Sequence, residues 1–309
     1  MKPMVVILLS DKRSGSTMFE NEICGHSDIN HVKYTPHSYN ETNYWLMSAS
    51  LLKMPKQLFS GHFFPQNYGS RSTTRRYIID CIRRNVPEFA IPRSDDELVF
   101  EGWEALCRKF AKPIFFEKSP QHPHHWAALE LMMRWQRKTE FAVRYIGLVR
   151  NPMAVMYSAC ELFLTDPEER QFGWASCYRN ILAMREMVGR DAFHMVRYED
   201  LIARPKETFG GVFDYLMVEQ CTSVGEKVHA KSLDKWRDDP YFAFRLDESV
   251  SRIAEYFGYG AEDVSNPCKA GLPAATKMRK RVARSLGRAR NRIYDHFVKP
   301  IMLSTFRRK

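Results

Sequence analysis

Apolar residues in this chain fall in short unbroken runs, each stopped by a polar or basic cluster. Val5-Val6-Ile7-Leu8-Leu9 runs into Ser10-Asp11-Lys12-Arg13-Ser14-Gly15-Ser16-Thr17, and Ile114-Phe115-Phe116 runs into Glu117-Lys118-Ser119-Pro120. The mostly apolar segment 141–149 ends in Arg150-Asn151-Pro152, and Phe193-His194-Met195-Val196 ends in Arg197-Tyr198-Glu199-Asp200. Runs this short and this continuous predict parallel strands buried on both faces. Between them the apolar spacing lengthens to a helical period at Trp126–Trp135, Phe172–Val188 and Glu248–Phe257. Strands alternating with helices predict an α/β chain, a three-layer αβα arrangement around a central, mainly parallel sheet. Residues 66–112 break the pattern: Arg71, Arg75, Arg76, Arg83 and Arg84 alternate with Tyr77, Ile78 and Ile82, which predicts a helical insertion. The main domain is expected to span 1–275, and 276–309 form a separate basic tail.

The first junction carries the clearest chemistry. A strand, a small polar loop at Arg13, Ser14, Gly15, Ser16 and Thr17, and a helical pattern through Phe19 and Ile23 turn several backbone N–H groups toward one point. That point lies at a helix N-terminus, where the dipole favours an anion. The guanidinium of Arg13 suits phosphate oxygens. The loop has one Gly and lacks the Gly-Lys-Ser/Thr ending of a nucleoside-triphosphate P-loop, so a triphosphate held with Mg²⁺ is the less favoured ligand. The plain alternative is a Ser- and Thr-rich helix cap. A second cradle is expected where Arg150 ends a strand and Ser158 follows in the next helix, because ligands of open α/β sheets lie outside the carboxyl ends of strands. Lys118 ends a third strand on the same side.

These residues together resemble the sulfotransferases that use 3′-phosphoadenosine 5′-phosphosulfate (PAPS). Arg13-Ser14-Gly15-Ser16-Thr17 is similar to that family's 5′-phosphosulfate loop, and Leu148-Val149-Arg150-Asn151-Pro152 with Ser158 to its 3′-phosphate motif. Glu117-Lys118-Ser119-Pro120 resembles an element of carbohydrate-type members, and Val196-Arg197-Tyr198-Glu199-Asp200-Leu201 the segment whose Tyr packs near the adenine. Ser232-Leu233-Asp234-Lys235-Trp236-Arg237 is like a stretch common in bacterial-type members. The resemblance implies a P-loop-like fold, PAPS as co-substrate without a metal, and transfer of a sulfuryl group to a hydroxyl, with a carbohydrate or glycolipid as first choice of acceptor. It implies Arg13, Ser14, Gly15, Ser16, Thr17, Arg150, Ser158 and Tyr198 as nucleotide contacts, with Arg13 and Lys118 also meeting the charge that grows on the leaving 5′-phosphate. Many members carry a Glu as base downstream of the loop; here that neighbourhood reads His31-Val32-Lys33-Tyr34-Thr35. His62, in Gly61-His62-Phe63-Phe64, is similar to the base of uronyl 2-O-sulfotransferases, and Glu41 and His37 are the competing candidates. His122, His124 and His125 have no Cys or carboxylate at zinc-like spacing, so no metal is expected there.

Charge changes the picture only at the end of the chain. Residues 277–309 hold 12 Lys and Arg against the single acid Asp295, which equals the +11 net charge of all 309 residues. Everything before the tail is therefore neutral in balance. Met278, Val282, Leu286, Ile293 and Phe297 recur at four- and seven-residue steps, the signature of an amphipathic helix. Such a helix packs on the domain, lies on an anionic membrane surface, or attracts a polyanion, with nucleic acid the least favoured. The seven cysteines are dispersed without a C-x-x-C pair, which predicts reduced thiols and a cytoplasmic chain, peripheral to a membrane if the tail binds one. Two rival functions stay open at this point: a kinase-like nucleotide enzyme, and a non-catalytic protein that binds membrane or polyanion.

Overall fold

The computed structural model describes residues 2–266 except Ser38, 61–69, Leu164, Thr222, Lys227, 229–232, Pro240, Tyr241 and Ala243, together with Met278, Val282 and Leu286. Five strands form one sheet in the order β2-β3-β1-β4-β5, and every ladder in it is parallel. The strands are β1 (Met4–Ser10), β2 (Ile29–Asn30), β3 (Ile114–Lys118), β4 (Ala142–Val149) and β5 (Phe193–Arg197). β1 is central and aligns Leu8 with Lys118 of β3 and Ser10 with Leu148 of β4. The loops after β1, β3 and β4 therefore leave the same edge of the sheet.

All seven residues of β1 are buried, as an unbroken apolar run demands. The alternation of a strand then divides them between two cores. Val5, Ile7 and Leu9 face one core; Met4, Val6 and Leu8 face the other. On the first side lie α2 (Tyr44–Leu51), α3 (Arg71–Asn85), α4 (Asp95–Phe110), α5 (Trp126–Gln136), α6 (Pro152–Phe163) and α7 (Pro167–Val188). Three fully buried indoles meet there, with Trp103 5.0 Å from Trp45 and 6.0 Å from Trp135 between ring centroids. On the second side are α1 (Ser16–Ile23), α8 (Tyr198–Ala203) and α9 (Pro205–Leu216), where Phe19 packs on Phe209 at 5.2 Å. Short helices α10 (Lys235–Asp238), α11 (Glu248–Tyr256) and α12 (Ala261–Val264) follow.

The expected α/β sandwich with a parallel sheet is the observed one. The insertion region holds α3 and α4, capped by Ser70 and Ser94, whose side chains accept from Thr73 N and Glu97 N. One helix begins earlier than its apolar period. α7 starts at Pro167, not Phe172, because the Asp166 carboxylate accepts from Glu168 N and Pro167 occupies the first turn. Met278, Val282 and Leu286 are helical and exposed, while Ile293 and Phe297 lie outside the described residues. No helix among the described residues is long and apolar enough to cross a membrane.

Candidate functional site

Residues 11–15 turn the chain from β1 into α1. Arg13 sits at φ 70° and Gly15 at φ 91°, two left-handed residues almost in succession. For Arg13 this conformation costs about 1 kcal/mol or more and persists because neighbours hold it. Gly15 has a second reason to lack a side chain. A Cβ there would lie 2.3 Å from Cε2 of Tyr198, whose ring closes over the loop from the first residue of α8.

Arg13 is tied to the far cradle in two ways. Its Nε donates to Ser158 Oγ at 3.0 Å, and its carbonyl accepts from Arg150 Nη1 at 3.0 Å. The Arg150 guanidinium lies 4.4 Å from the centre of the Tyr198 ring, a cation–π contact. Burial lowers the pKa of Arg150 from 12.5, but a guanidinium remains charged. The Arg150-Asn151-Pro152 sequence holds this arrangement in place. Asn151 Oδ1 accepts from Met153 N at 2.8 Å and caps α6, its backbone N donates to Glu199 Oε1 at 2.9 Å, and Pro152 opens the helix. Trp174 Nε1 donates to the Arg150 carbonyl at 3.2 Å.

Arg13, Gly15, Ser16, Thr17, Arg150, Ser158 and Tyr198 line one cleft of about 540 Å³ at the strand tips. Its shape is completed by Met18, Tyr157, Glu161, Leu162, Lys235 and Trp236. Two cations, a free helix N-terminus with no acidic residue in its first turn, and hydroxyls suit an anion of two charged ends. Lys235 adds a third cation, which motif spacing alone did not single out as a contact.

Ser14 stands apart from the other loop residues. Its side chain is buried and bonds Tyr178 Oη at 3.1 Å, so only its backbone is left for a ligand. Lys118 also lies outside the cleft lining. Its buried Nζ is 3.2 Å from Glu20 Oε2 and 3.5 Å from Glu41 Oε1, and it donates to the Tyr39 carbonyl at 3.0 Å. Burial raises the Glu20 carboxyl to about 7 against the opposing pull of Lys118. His37 Nδ1 is 3.4 Å from Glu41 Oε2, so the two competing base candidates form one pair. His62 lies outside the described residues.

Glu117, Ser119, His122 and His125, all named from the sequence, are buried at and after the β3 tip, which the sequence did not show. Glu117 is raised to about 7 by burial while accepting from Thr42 Oγ1 at 2.7 Å and Ser119 Oγ at 2.6 Å. Burial also pushes His122 and His125 down to about 3, which keeps both neutral. Asp11, His124 and Cys177 bring possible metal-ligand atoms within 4.8 Å of one another. Arg170 Nη2, however, lies 2.5 Å from both Asp11 oxygens, and burial pushes the Cys177 thiol well above its ordinary pKa. A guanidinium and a protonated thiol make this trio a poor cation site. Asp11 follows the first strand directly, which was the one signal of its importance; Arg170 had none.

A family model described as "Sulfotransferase family" matches residues 3–222. Among solved structures, the sulfotransferase domain from the Synechococcus PCC 7002 olefin synthase is 21% identical with a TM-score of 0.57, over 83% of this chain and 95% of that one. The sulfotransferase domain from the curacin biosynthetic pathway is 20% identical with a TM-score of 0.54, over 84% of this chain and 98% of that one. At these identities the likeness shows a shared fold. No curated protein matches the sequence.

Proposed function

The chain belongs to the sulfotransferase family and is an enzyme of sulfuryl transfer, and from that premise we propose that it moves the group from PAPS to a hydroxyl of a carbohydrate or glycolipid. The observation that carries the choice of donor is the meeting of Arg13 and Arg150 in one cleft. PAPS is charged at both its 5′ and 3′ ends, and two guanidiniums beside a helix N-terminus are matched to it. Arg13 and the amides of Ser14, Gly15, Ser16 and Thr17 take the 5′-phosphosulfate. Arg150 and Ser158 take the 3′-phosphate, and Tyr198 packs toward the adenine.

In the transfer, a bond forms from the acceptor oxygen to sulfur, the bond from sulfur to the bridging 5′-phosphate oxygen breaks, and the acceptor proton passes to a base. Arg13 meets the charge that develops on the bridging oxygen. Lys118 joins it by exchanging one of its two carboxylate partners, Glu20 or Glu41. His62 is the base, with the Glu41–His37 pair as its competitor. Helices α3 and α4 shape the acceptor side. The carbohydrate or glycolipid class rests on the Glu117–Pro120 element and His62 alone.

Thermal shift against 3′-phosphoadenosine 5′-phosphate (PAP), AMP and ATP tests the donor. PAP should raise Tm far more than the other two, by mass action on the folded state. An equal response to all three nucleotides would overturn the assignment.

A second reading concerns the tail. Met278, Val282 and Leu286 are helical, exposed and four residues apart, in a segment that carries the whole net charge. This supports contact with an anionic membrane surface. The six described cysteines form no disulfide with one another, which supports a reducing compartment such as the cytoplasm. Co-sedimentation with phosphatidylcholine vesicles, with and without phosphatidylglycerol, tests the tail; recovery independent of the anionic lipid removes this reading.

A further inference from the structure

Asp11 is the first residue beyond β1 and is fully buried. Four bonds hold its carboxylate. Arg170 Nη2, from α7, donates to both oxygens at 2.5 Å. His124 Nε2, from the turn after β3, lies 2.8 Å from Oδ1, and the backbone N of Lys12 donates to the same oxygen at 2.7 Å. The Asp11 carbonyl then accepts from Ser14 N at 3.3 Å, inside the loop itself. Asp11, His124 and Arg170 all lie outside the cleft lining.

A buried ion pair is weak evidence for stability, since removing two charges from water offsets much of their attraction. This one has a more specific consequence. One residue, Lys12, separates Asp11 from Arg13, whose backbone is left-handed and cannot be held by its own preference. The carboxylate is gripped from α7 and from the turn that follows Lys118, and so pins the point at which the loop departs from the sheet. It also ties the β1 tip to the β3 tip through His124.

We propose that Asp11, gripped by Arg170 and His124, is a positioning residue for the anion loop: it sets where Arg13 and the amides of residues 14–17 meet the 5′-phosphate end of the donor nucleotide. The proposal rests on the PAPS reading above. It differs from a general packing role in what it affects. A loop held in place by this set bears first on the 5′ end, whereas Arg150 and Ser158 hold the 3′ end from a different strand and meet the loop through Arg13.

Isothermal titration with two nucleotides separates the possibilities. PAP carries both phosphates, and adenosine 3′-monophosphate lacks the 5′ one. The unmodified chain must prefer PAP; if it does not, the donor reading itself has failed. Given that preference, Arg170→Gln should weaken PAP on the order of tenfold and leave adenosine 3′-monophosphate within about twofold, the pattern of a displaced but unremoved contact. Arg170→Lys, which keeps a cation, should recover most of the loss. Equal weakening of both nucleotides, or no weakening of PAP, overturns the positioning role. If Arg170→Gln does not fold, His124→Phe fills the ring's volume without its bond to Asp11 and carries the same expectation on a smaller scale. A loss confined to PAP supports the proposal there, and an equal or absent loss overturns it.

Discussion

The guanidinium of Arg150 donates through Nη1 to the backbone carbonyl of Arg13, 137 residues earlier in the chain, at 3.0 Å. The bond joins the loop after β1 to the loop after β4. It means that each cradle is partly built from the other, since Arg13 in turn reaches Ser158 of α6. Removing Arg150 would therefore take away this tie as well as the proposed partner of a 3′-phosphate.

Arg150→Ala should weaken PAP by one to two orders of magnitude, with a much smaller effect on AMP, because AMP has no 3′-phosphate to lose. Titration calorimetry on both nucleotides checks this. The same fold loss for both would take the 3′-phosphate away from Arg150.

Gly15→Ala should harm both folding and binding. A Cβ at φ 91° strains the backbone by about 1–2 kcal/mol, and it would meet the Tyr198 ring at 2.3 Å. Tyr198→Ala in the same chain should relieve the clash but not the backbone strain, so the double variant should lose less than the sum of the two single losses. Urea denaturation measures all three, and strict additivity would count against the contact.

His62→Ala should lower turnover by about 10²–10⁴-fold and leave PAP affinity within a small factor, as expected of a proton acceptor that does not touch the nucleotide. Activity close to that of the unmodified chain would transfer the role to the Glu41–His37 pair. Glu41→Gln is then the variant to assay.

Stability should fall as pH rises from about 5 to 7. Burial raises Glu20 from the ordinary 4.5 to about 7, so in this window the folded chain holds a proton that the unfolded chain has released. The stabilisation is complete below the unfolded value and is lost as pH climbs through the folded one, at about 1.4 kcal/mol per unit of pKa. Glu117 is raised in the same direction. Glu20→Gln should flatten the Tm-against-pH curve in that range. A curve as steep as before would assign the slope to Glu117.

Much of this arrangement is legible in the sequence. Unbroken apolar runs marked β1, β3, β4 and β5, although β5 is only partly buried at the sheet edge, and the two-residue β2 is too short to show such a run. Arg13, Gly15, Arg150, Ser158 and Tyr198, all quoted from the sequence, do converge on one cleft. What the sequence hid depends on contacts between distant segments. Ser14 looked like an available hydroxyl, but Tyr178, from α7, occupies it. Lys118 was expected to meet the leaving phosphate, yet Glu20 and Glu41 approach it from two other segments. Asp11 and Arg170 are 159 positions apart, with no shared motif. The start of α7 was missed because its first turn, Pro167-Glu168-Glu169-Arg170, has no apolar residue to reveal the helical period.

The placement of β1 beside β4 has one more consequence. The two cradles grow from neighbouring strands, so their separation follows the spacing of a hydrogen-bonded ladder, about 4.8 Å between strands. Loop residues can change without altering that interval. The sheet itself acts as a calliper for the two loops, and moving them to another interval would mean reshaping the centre of the protein.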